Sequence, residues 1–338
     1  MNSLSILIKD GARHRQRRQI RRRIGSCVAG ALLVGFLSGV ARAEKPPGGT
    51  AAAIRGVVHV PAISLNGIRM AEISGVAWDA DDKMLYAVSD RGVLFRVRLR
   101  IDTGLLTGVE PVDARRIVWP GIPDDSHQTI DAEGLGLLHG ANAVGSDAEL
   151  LVSTEGRPRV LRVAPDARVL GEMTLPVSLA DTNQYRADNA MLEAIAASSQ
   201  YGLMLAAESP MRGAPEDLHR IQSATGHWMF ARLDQRRSRL KAIEAMPDGS
   251  LVILERATGG KRKSWLNALR RIKPDTCGAE VLCEVEELLR IEEVGLAQNF
   301  EALAHLGDGR LLLVSDNLGG KRSDTVFMLV ELGPSQRE

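Results

Sequence analysis

The chain has 338 residues, 43 Lys and Arg against 42 Asp and Glu for a formal net charge of +1, and only 4% aromatic residues. The near-neutral balance is uneven, because residues 1–43 hold nine basic residues and one acidic residue, leaving 34 basic against 41 acidic in the remainder. An acidic remainder argues against nucleic acid as a partner and favours cations, or anions bridged through cations.

Residues 1–23 carry a basic run from Arg13 to Arg23, followed by an apolar, glycine-interrupted stretch from Ile24 to Val40 and then Ala41-Arg42-Ala43. Basic region, apolar region and A-x-A site are the parts of a secretory signal peptide, with cleavage expected after Ala43. The apolar stretch is short for a membrane span, which needs about 20 apolar residues. Arg21-Arg22 invites a twin-arginine reading that Gly25 fits poorly, so Sec export to the periplasm or outside the cell is expected. The organisation read from the sequence is a signal peptide over 1–43, a flexible Pro/Gly lead-in over 44–52, one domain over 53–332 and a tail over 333–338. No other apolar run approaches spanning length, so no membrane association is expected once the signal is removed.

Five segments then repeat one plan. A polar or acidic residue opens a short apolar strand, a turn follows, and a second strand ends in an acidic residue. The pairs are Glu72–Trp78 with Met84–Asp90, Asp131–Leu137 with Glu149–Glu155, Met191–Ala196 with Gly202–Glu208, Leu240–Ala245 with Ser250–Glu255, and Asn299–Ala304 with Arg310–Asp316. The second strands are nearly continuous apolar runs, as strands buried on both faces require. After most pairs comes a strand in which apolar residues alternate with Arg, such as Val93–Leu99 and Asn267–Ile272, the pattern of a half-exposed sheet. A fourth strand is expected at Ala114–Trp119, Val169–Leu175 and Glu286–Ile291. Four-stranded units of this size predict an all-β chain folded as a β-propeller of four-stranded blades. Five repeats are detected, the third compressed around Asp234–Arg239, which leaves room for a sixth. The last unit lacks a fourth strand, and residues 54–65 can supply it, closing the ring by pairing the two chain ends. A β-sandwich of the same strands would not predict the repeated acidic ends.

Cys27 lies in the signal, and Cys277 with Cys283 form an even pair expected to make a disulfide in an oxidising compartment. The short loop between them limits its stabilising effect.

Several short motifs carry a family resemblance through their order and spacing. They are Ser74-Gly-Val-Ala77 with Ser89-Asp-Arg-Gly92; Asp131, Glu133 and Gly134 with Ser153 and Glu155; and Asn189, Glu193, Ile195 and Ala196 with Glu208 and Pro210. Leu254-Glu255-Arg256 follows, then Asn299–Ala304 with Val314–Asn317. In this set the chain resembles the phytase-like proteins, the family of "esterase-like activity of phytase", over about 70–332. Departures are Ala after Glu193 and Glu301 where Gly is common, and Lys241 at an acidic position. The resemblance implies a propeller and a hydrolase of ester or phosphoester bonds.

In a propeller the inner strands converge on a central channel, so equivalent positions meet there. Glu72, Glu133, Glu193 and Glu301 are read as one such set, and Asp90, Glu155, Glu208, Glu255 and Asp316 as another. Crowded carboxylates need a compensating cation, a basic partner or a raised pKa. Oxygen ligands suit a divalent cation, calcium above all, with Asn189, Asn299 and Asn317 able to add carbonyl oxygens. On this reading Glu133, Glu193 and Glu301 are the catalytic candidates, and Glu72, Asp90, Asp131, Glu155, Asp316 and Asn317 the metal ligands. The competing explanation is that Arg91, Arg157 and Arg256 pair with the second set and lock blades together. Lys261-Arg262 and Lys321-Arg322 follow Gly-Gly pairs in the loops of two blades and are read as a cationic rim for a small anionic or ester substrate, or else as solvated loop charges.

No G-x-S-x-G elbow, H-E-x-x-H or Walker loop occurs, and the histidines lack metal spacing, with loop His127 read as exposed. The leading expectation is an exported, metal-dependent hydrolase of ester or phosphoester bonds. A non-catalytic ligand-binding or interaction propeller is its rival, with a lactonase third and unsupported by paired histidines. A monomer is expected, since few aromatics are available for an apolar patch.

Overall fold

In a computed structural model of the protein, the described residues are 52–119, 130–145, 147–233, 238–258, 265–293, 295–320 and 324–333. The expected signal peptide, His127, Lys261, Arg262, Lys321 and Arg322 lie outside them, as do most of the lead-in and the tail. Among the described residues no helix is long and apolar enough to cross a membrane.

The chain enters through β1 (Ala53–Val60) and a small hairpin, β2 (Ser64–Leu65) and β3 (Ile68–Arg69). Five blades follow, each an antiparallel four-stranded sheet. Blade 1 is β4 (Ile73–Asp79), β5 (Met84–Ser89), β6 (Val93–Asp102) and β7 (Leu105–Arg116). Blade 2 is β8 (Ala132–Leu138), β9 (Glu149–Thr154), β10 (Arg159–Val163) and β11 (Val169–Glu172). Blade 3 is β12 (Leu192–Ser198), β13 (Gly202–Ala207), β14 (Leu218–Gln222) and β15 (His227–Ala231). Blade 4 is β16 (Arg239–Ala245), β17 (Leu251–Thr258), β18 (Trp265–Ile272) and β19 (Glu286–Ile291). Blade 5 is β20 (Phe300–His305), β21 (Arg310–Ser315) and β22 (Thr325–Glu331), completed on its outer edge by β1. The expected all-β propeller is thus observed, with five blades among the described residues.

The two chain ends close the ring as the sequence predicts, with Val57 opposite Met328 and Val60 opposite Thr325. The inner strands β4, β8, β12, β16 and β20 each flank the next, and β20 returns to β4. Five apolar cores fill the wedges between adjacent blades. Each second strand contributes side chains to the wedges on both of its sides, which is why β21 reads Leu311-Leu-Leu-Val314 and every one of these residues is fully buried. Alternation would have left half of them facing solvent.

Blade 3 corrects one expectation. Trp228–Leu233, read as a third strand, largely forms the fourth, β15, and the third is β14, Leu218–Gln222. His219, Arg220 and Gln222 break its apolar run, so the segment carries a weak strand signal. The blade is complete rather than compressed. In blade 1 the outer strand begins nine residues before the expected Ala114, at Leu105, while the outer strand of blade 4 falls at Glu286–Ile291 as expected.

Candidate functional site at the channel mouth

Every inner hairpin slips register at one residue, between Ile73 and Gly75, Ala132 and Gly134, Leu192 and Ala194, Leu240 and Ala242, and Phe300 and Ala302. The residue at the slip is Ser74, Glu133, Glu193, Lys241 or Glu301 in turn. A bulge leaves its extra residue out of the ladder and re-aims the side chain. This is the layer that the repeated acid in the sequence announced, with one correction. Blade 1 contributes Ser74, whose hydroxyl donates to the Ala132 carbonyl at 2.5 Å. Glu72 stands two residues earlier, where the other blades place Asp131, Met191, Arg239 and Asn299. Spacing alone could not separate the two positions, because only strand pairing shows which residue the ladder skips.

A second layer comes from the residue just past the second strand. The backbone N–H groups of Asp90, Glu155, Glu208 and Asp316 donate to the carbonyls of Glu72, Asp131, Met191 and Asn299. In blade 4 the pairing of Leu240 with Glu255 and of Arg239 with Arg256 puts Arg256, not Glu255, at this position. Blade 4 therefore supplies a cation in both layers where its neighbours supply acids.

Those two cations neutralise one side of the mouth. Lys241 Nζ contacts Glu193, reaches Glu208 Oε1 at 2.8 Å and lies 2.6 Å from Glu301 Oε2. Arg256 pairs with Glu301 and stacks over the Trp265 ring at 4.8 Å, and Arg239 pairs with Glu208. Lys241, Glu193 and Glu208 are all buried. Two of the three expected catalytic carboxylates, Glu193 and Glu301, thus sit in ion pairs.

The opposite side differs. Asp131, Glu133 and Glu155 bring one carboxylate oxygen each within 4.8 Å of the others. Among the described residues no basic side chain forms an ion pair with any of the three. The family described as "Phytase-like: Esterase-like activity of phytase" matches residues 68–317. The chain belongs to the phytase-like family. Comparison with curated proteins returns no match. Among solved structures, the PQQ-bound aldose sugar dehydrogenase from Streptomyces coelicolor is 11% identical, with 84% of this chain and 99% of that chain covered and a TM-score of 0.42. So distant a likeness bears on neither cofactor nor reaction.

In this phytase-like chain the three acids have no ion pair among the described residues, with Asp131 exposed and Glu133 and Glu155 partly buried. Burial, followed by the charges of Glu193 and Glu155, pushes the Glu133 carboxyl far above the usual carboxylate range. Burial likewise raises Glu155 to about 7, although its carboxylate accepts from the Met191 N–H at 2.9 Å. Asp90 is also raised to about 7, by burial and by the charges of Glu72 and Asp316, and its Oδ1 is buried without a hydrogen-bond partner. Three hard oxygen donors short of positive charge fit a divalent cation of the calcium or magnesium type.

The other expected ligands are spread around the mouth. Glu72 takes a left-handed φ of 57° and is held there from two sides. Asn317 Oδ1 accepts its N–H at 3.1 Å, and Arg91 Nη2 donates to its carboxylate at 2.9 Å. Asp316 accepts from the Asn299 side-chain amide at 3.0 Å and from the Leu318 N–H at 2.7 Å. Arg91, read as a partner for Asp90, therefore serves Glu72, and Arg256 serves Glu301 rather than Glu255. Asn189 is exposed, away from these hydrogen bonds.

Glu255 leaves the ring altogether. It is fully buried, accepting from the Leu233 N–H at 2.7 Å and from Ser238 and Arg270, with His219 Nε2 at 3.1 Å. Burial opposes its charge, but this cage holds it down at about 2. His219 and Ser238 carried no sequence signal, since each partner comes from a different strand or loop. Cys277 and Cys283 form the expected disulfide. Beneath the charged layers, Val76, Leu135, Ile195, Ile243 and Leu303 stand two residues on from the bulges, and all are buried. They line a narrow space together with Lys241 and Glu193.

Proposed function

We propose that the protein is an exported hydrolase of ester or phosphoester bonds that works with a divalent cation, calcium first, held by Asp131, Glu133 and Glu155. The observation that supports this reading is the asymmetry of the mouth, where among the described residues three carboxylates converge without an ion-paired basic side chain while their counterparts Glu193, Glu208 and Glu301 are neutralised by Lys241, Arg239 and Arg256. What such a cation supplies when bound is polarisation of a phosphoryl or carbonyl oxygen and a more acidic water. The chain's own part is to hold the three acids together, with Lys241 keeping Glu193 and Glu301 out of competition. Asp90, whose carboxyl exchanges its proton near neutral pH, stands beside them as a general acid or base. Export rests on the signal-peptide pattern of residues 1–43, and the proposal of a monomer rests on the scarcity of aromatic residues. The substrate class follows the family description, a small ester or phosphate ester.

The test is turnover of phytate, p-nitrophenyl phosphate and p-nitrophenyl acetate by the protein lacking residues 1–43, with calcium and with chelator. Activity that vanishes with chelator, returns with calcium and is lost in Glu133→Gln supports the proposal. Turnover indifferent to chelator and to Glu133→Gln overturns it.

One observation favours the binding-module reading: Glu72, Glu193, Glu208 and Glu301 of the acidic ring are consumed by structural ion pairs. On that reading Asp131, Glu133 and Glu155 hold a cation that only orders the mouth. Stoichiometric calcium without turnover on any ester would select it.

A further inference from the structure

Blades 5 and 1 adjoin through β20 and β4. Their side of the mouth holds two buried side-chain oxygens that no hydrogen bond satisfies among the described residues. Asn299 is only 6% exposed, and its Oδ1 has no partner. Asp90 Oδ1 is bare in the same way. A buried acceptor left unpaired is costly, so each of these oxygens points to a donor or a cation.

Asp316 brings the two together. The Asn299 side-chain nitrogen donates to Asp316 Oδ2 at 3.0 Å. Asn299 Oδ1 is carried by the same carbon as that nitrogen, so it is fixed beside the Asp316 carboxylate. The Asp316 N–H donates to the Asn299 carbonyl at 2.9 Å and the Asp90 N–H to the Glu72 carbonyl at 3.1 Å, which sets both acids at one level of adjacent blades. The charges of Glu72 and Asp316 both act on Asp90. Among the described residues no ion pair reaches Asp90 or Asp316, because Arg91 is spent on Glu72 and Arg256 on Glu301. Glu72, being paired, is left out of the set.

We propose that Asn299 Oδ1, the Asp316 carboxylate and Asp90 Oδ1 hold a second divalent cation of the calcium type, which clasps blade 5 to blade 1. It is distinct from the cation assigned to Asp131, Glu133 and Glu155. One amide carbonyl and two carboxylates form a hard oxygen set, and calcium completes such a set with waters in flexible geometry. A water alone would satisfy Asn299 Oδ1 but leave the charges of Asp90 and Asp316 uncompensated. A cation here holds Asp90 ionised, so within the hydrolase reading Asp90 is the base rather than the acid. That consequence rests on the hydrolase reading, whereas the binding site does not.

Calcium titrated calorimetrically into the metal-stripped protein lacking residues 1–43 tests the site by stoichiometry. The expected result is two ions per chain, falling to one in Asn299→Leu and to one in Glu133→Gln. In Glu133→Gln the remaining ion should still raise the melting temperature. Asp90→Asn is expected to weaken the second ion about tenfold or more. Should Asn299→Leu misfold after losing its bond to Asp316, the isosteric Asp90→Asn still decides the matter. Absence of calcium binding, two ions in Asn299→Leu, parent affinity for both ions in Asp90→Asn, or a single ion in the parent protein that Glu133→Gln abolishes would each overturn the proposal. A single ion lost in Asn299→Leu but kept in Glu133→Gln would uphold this site and remove the cation site of the hydrolase reading.

Discussion

Lys241 and Glu208 meet in the channel mouth at 2.8 Å, both buried and from adjacent blades. The same ammonium serves Glu193 from blade 3 and Glu301 from blade 5, so one lysine ties three blades together. A buried cation facing three carboxylates is held by mutual attraction alone, and removing it leaves charges stranded away from water. Lys241→Met is therefore expected to destabilise the fold by about 3–5 kcal/mol. Restoring balance by adding Glu193→Gln and Glu301→Gln should recover part of that loss. Urea unfolding of the three variants checks both statements.

Cation binding at Asp131, Glu133 and Glu155 should release protons. Glu155 and Glu133 are raised in the free protein, so near neutral pH a ligand that requires both carboxylates ionised must displace protons. Calcium affinity is expected to fall by about tenfold per pH unit for each proton displaced as the pH drops below 7. Calorimetry in buffers of different ionisation enthalpy reads the proton count, and a pH-independent affinity would refute the coupling.

Glu255 sets an acid limit. Its carboxyl is depressed to about 2 in the folded protein against an ordinary value of 4.5. A depressed acid stabilises the fold fully above its unfolded pKa and loses that contribution as the pH falls toward the folded value. Stability is thus expected to drop by about 3 kcal/mol between pH 5 and pH 2 on this account alone. Glu255→Gln should lower stability at pH 7 and flatten that segment of the profile, measured as unfolding free energy against pH.

Gly134 marks a close approach between inner strands. A Cβ there would lie 2.5 Å from the Glu193 carbonyl oxygen and 2.6 Å from Ser153 Oγ, whereas one at Gly136 meets nothing nearer than 3.5 Å. Gly134→Ala is expected to cost about 1–3 kcal/mol, and Gly136→Ala much less. Thermal melts of the two variants distinguish a backbone clash from a general effect of added side chain. Gly134 also follows Glu133, so its substitution should weaken calcium binding while Gly136→Ala does not.

The wedge cores give a control for packing. Leu313 is fully buried between blades, and Leu313→Ala is expected to cost about 2–5 kcal/mol without altering calcium affinity. Denaturant unfolding paired with a calcium titration checks the separation of fold from site.

The amino-acid sequence by itself determined the propeller, the pairing of the chain ends, the Cys277–Cys283 bridge and the recurrence of acids at strand ends. These are local facts: apolar runs, turn residues and a repeating interval survive in one dimension. Tertiary structure alone decided which acids share a layer. A one-residue bulge in every inner hairpin moves Glu72 out of the layer that Glu133 and Glu301 occupy, and the register of blade 4 exchanges Glu255 for Arg256. It also decided which acids are free, because the partners of Glu193, Glu208 and Glu301 come from other blades, 31–60 residues away in the sequence. Charge compensation is a property of distance in space, and a linear repeat records only the interval along the chain.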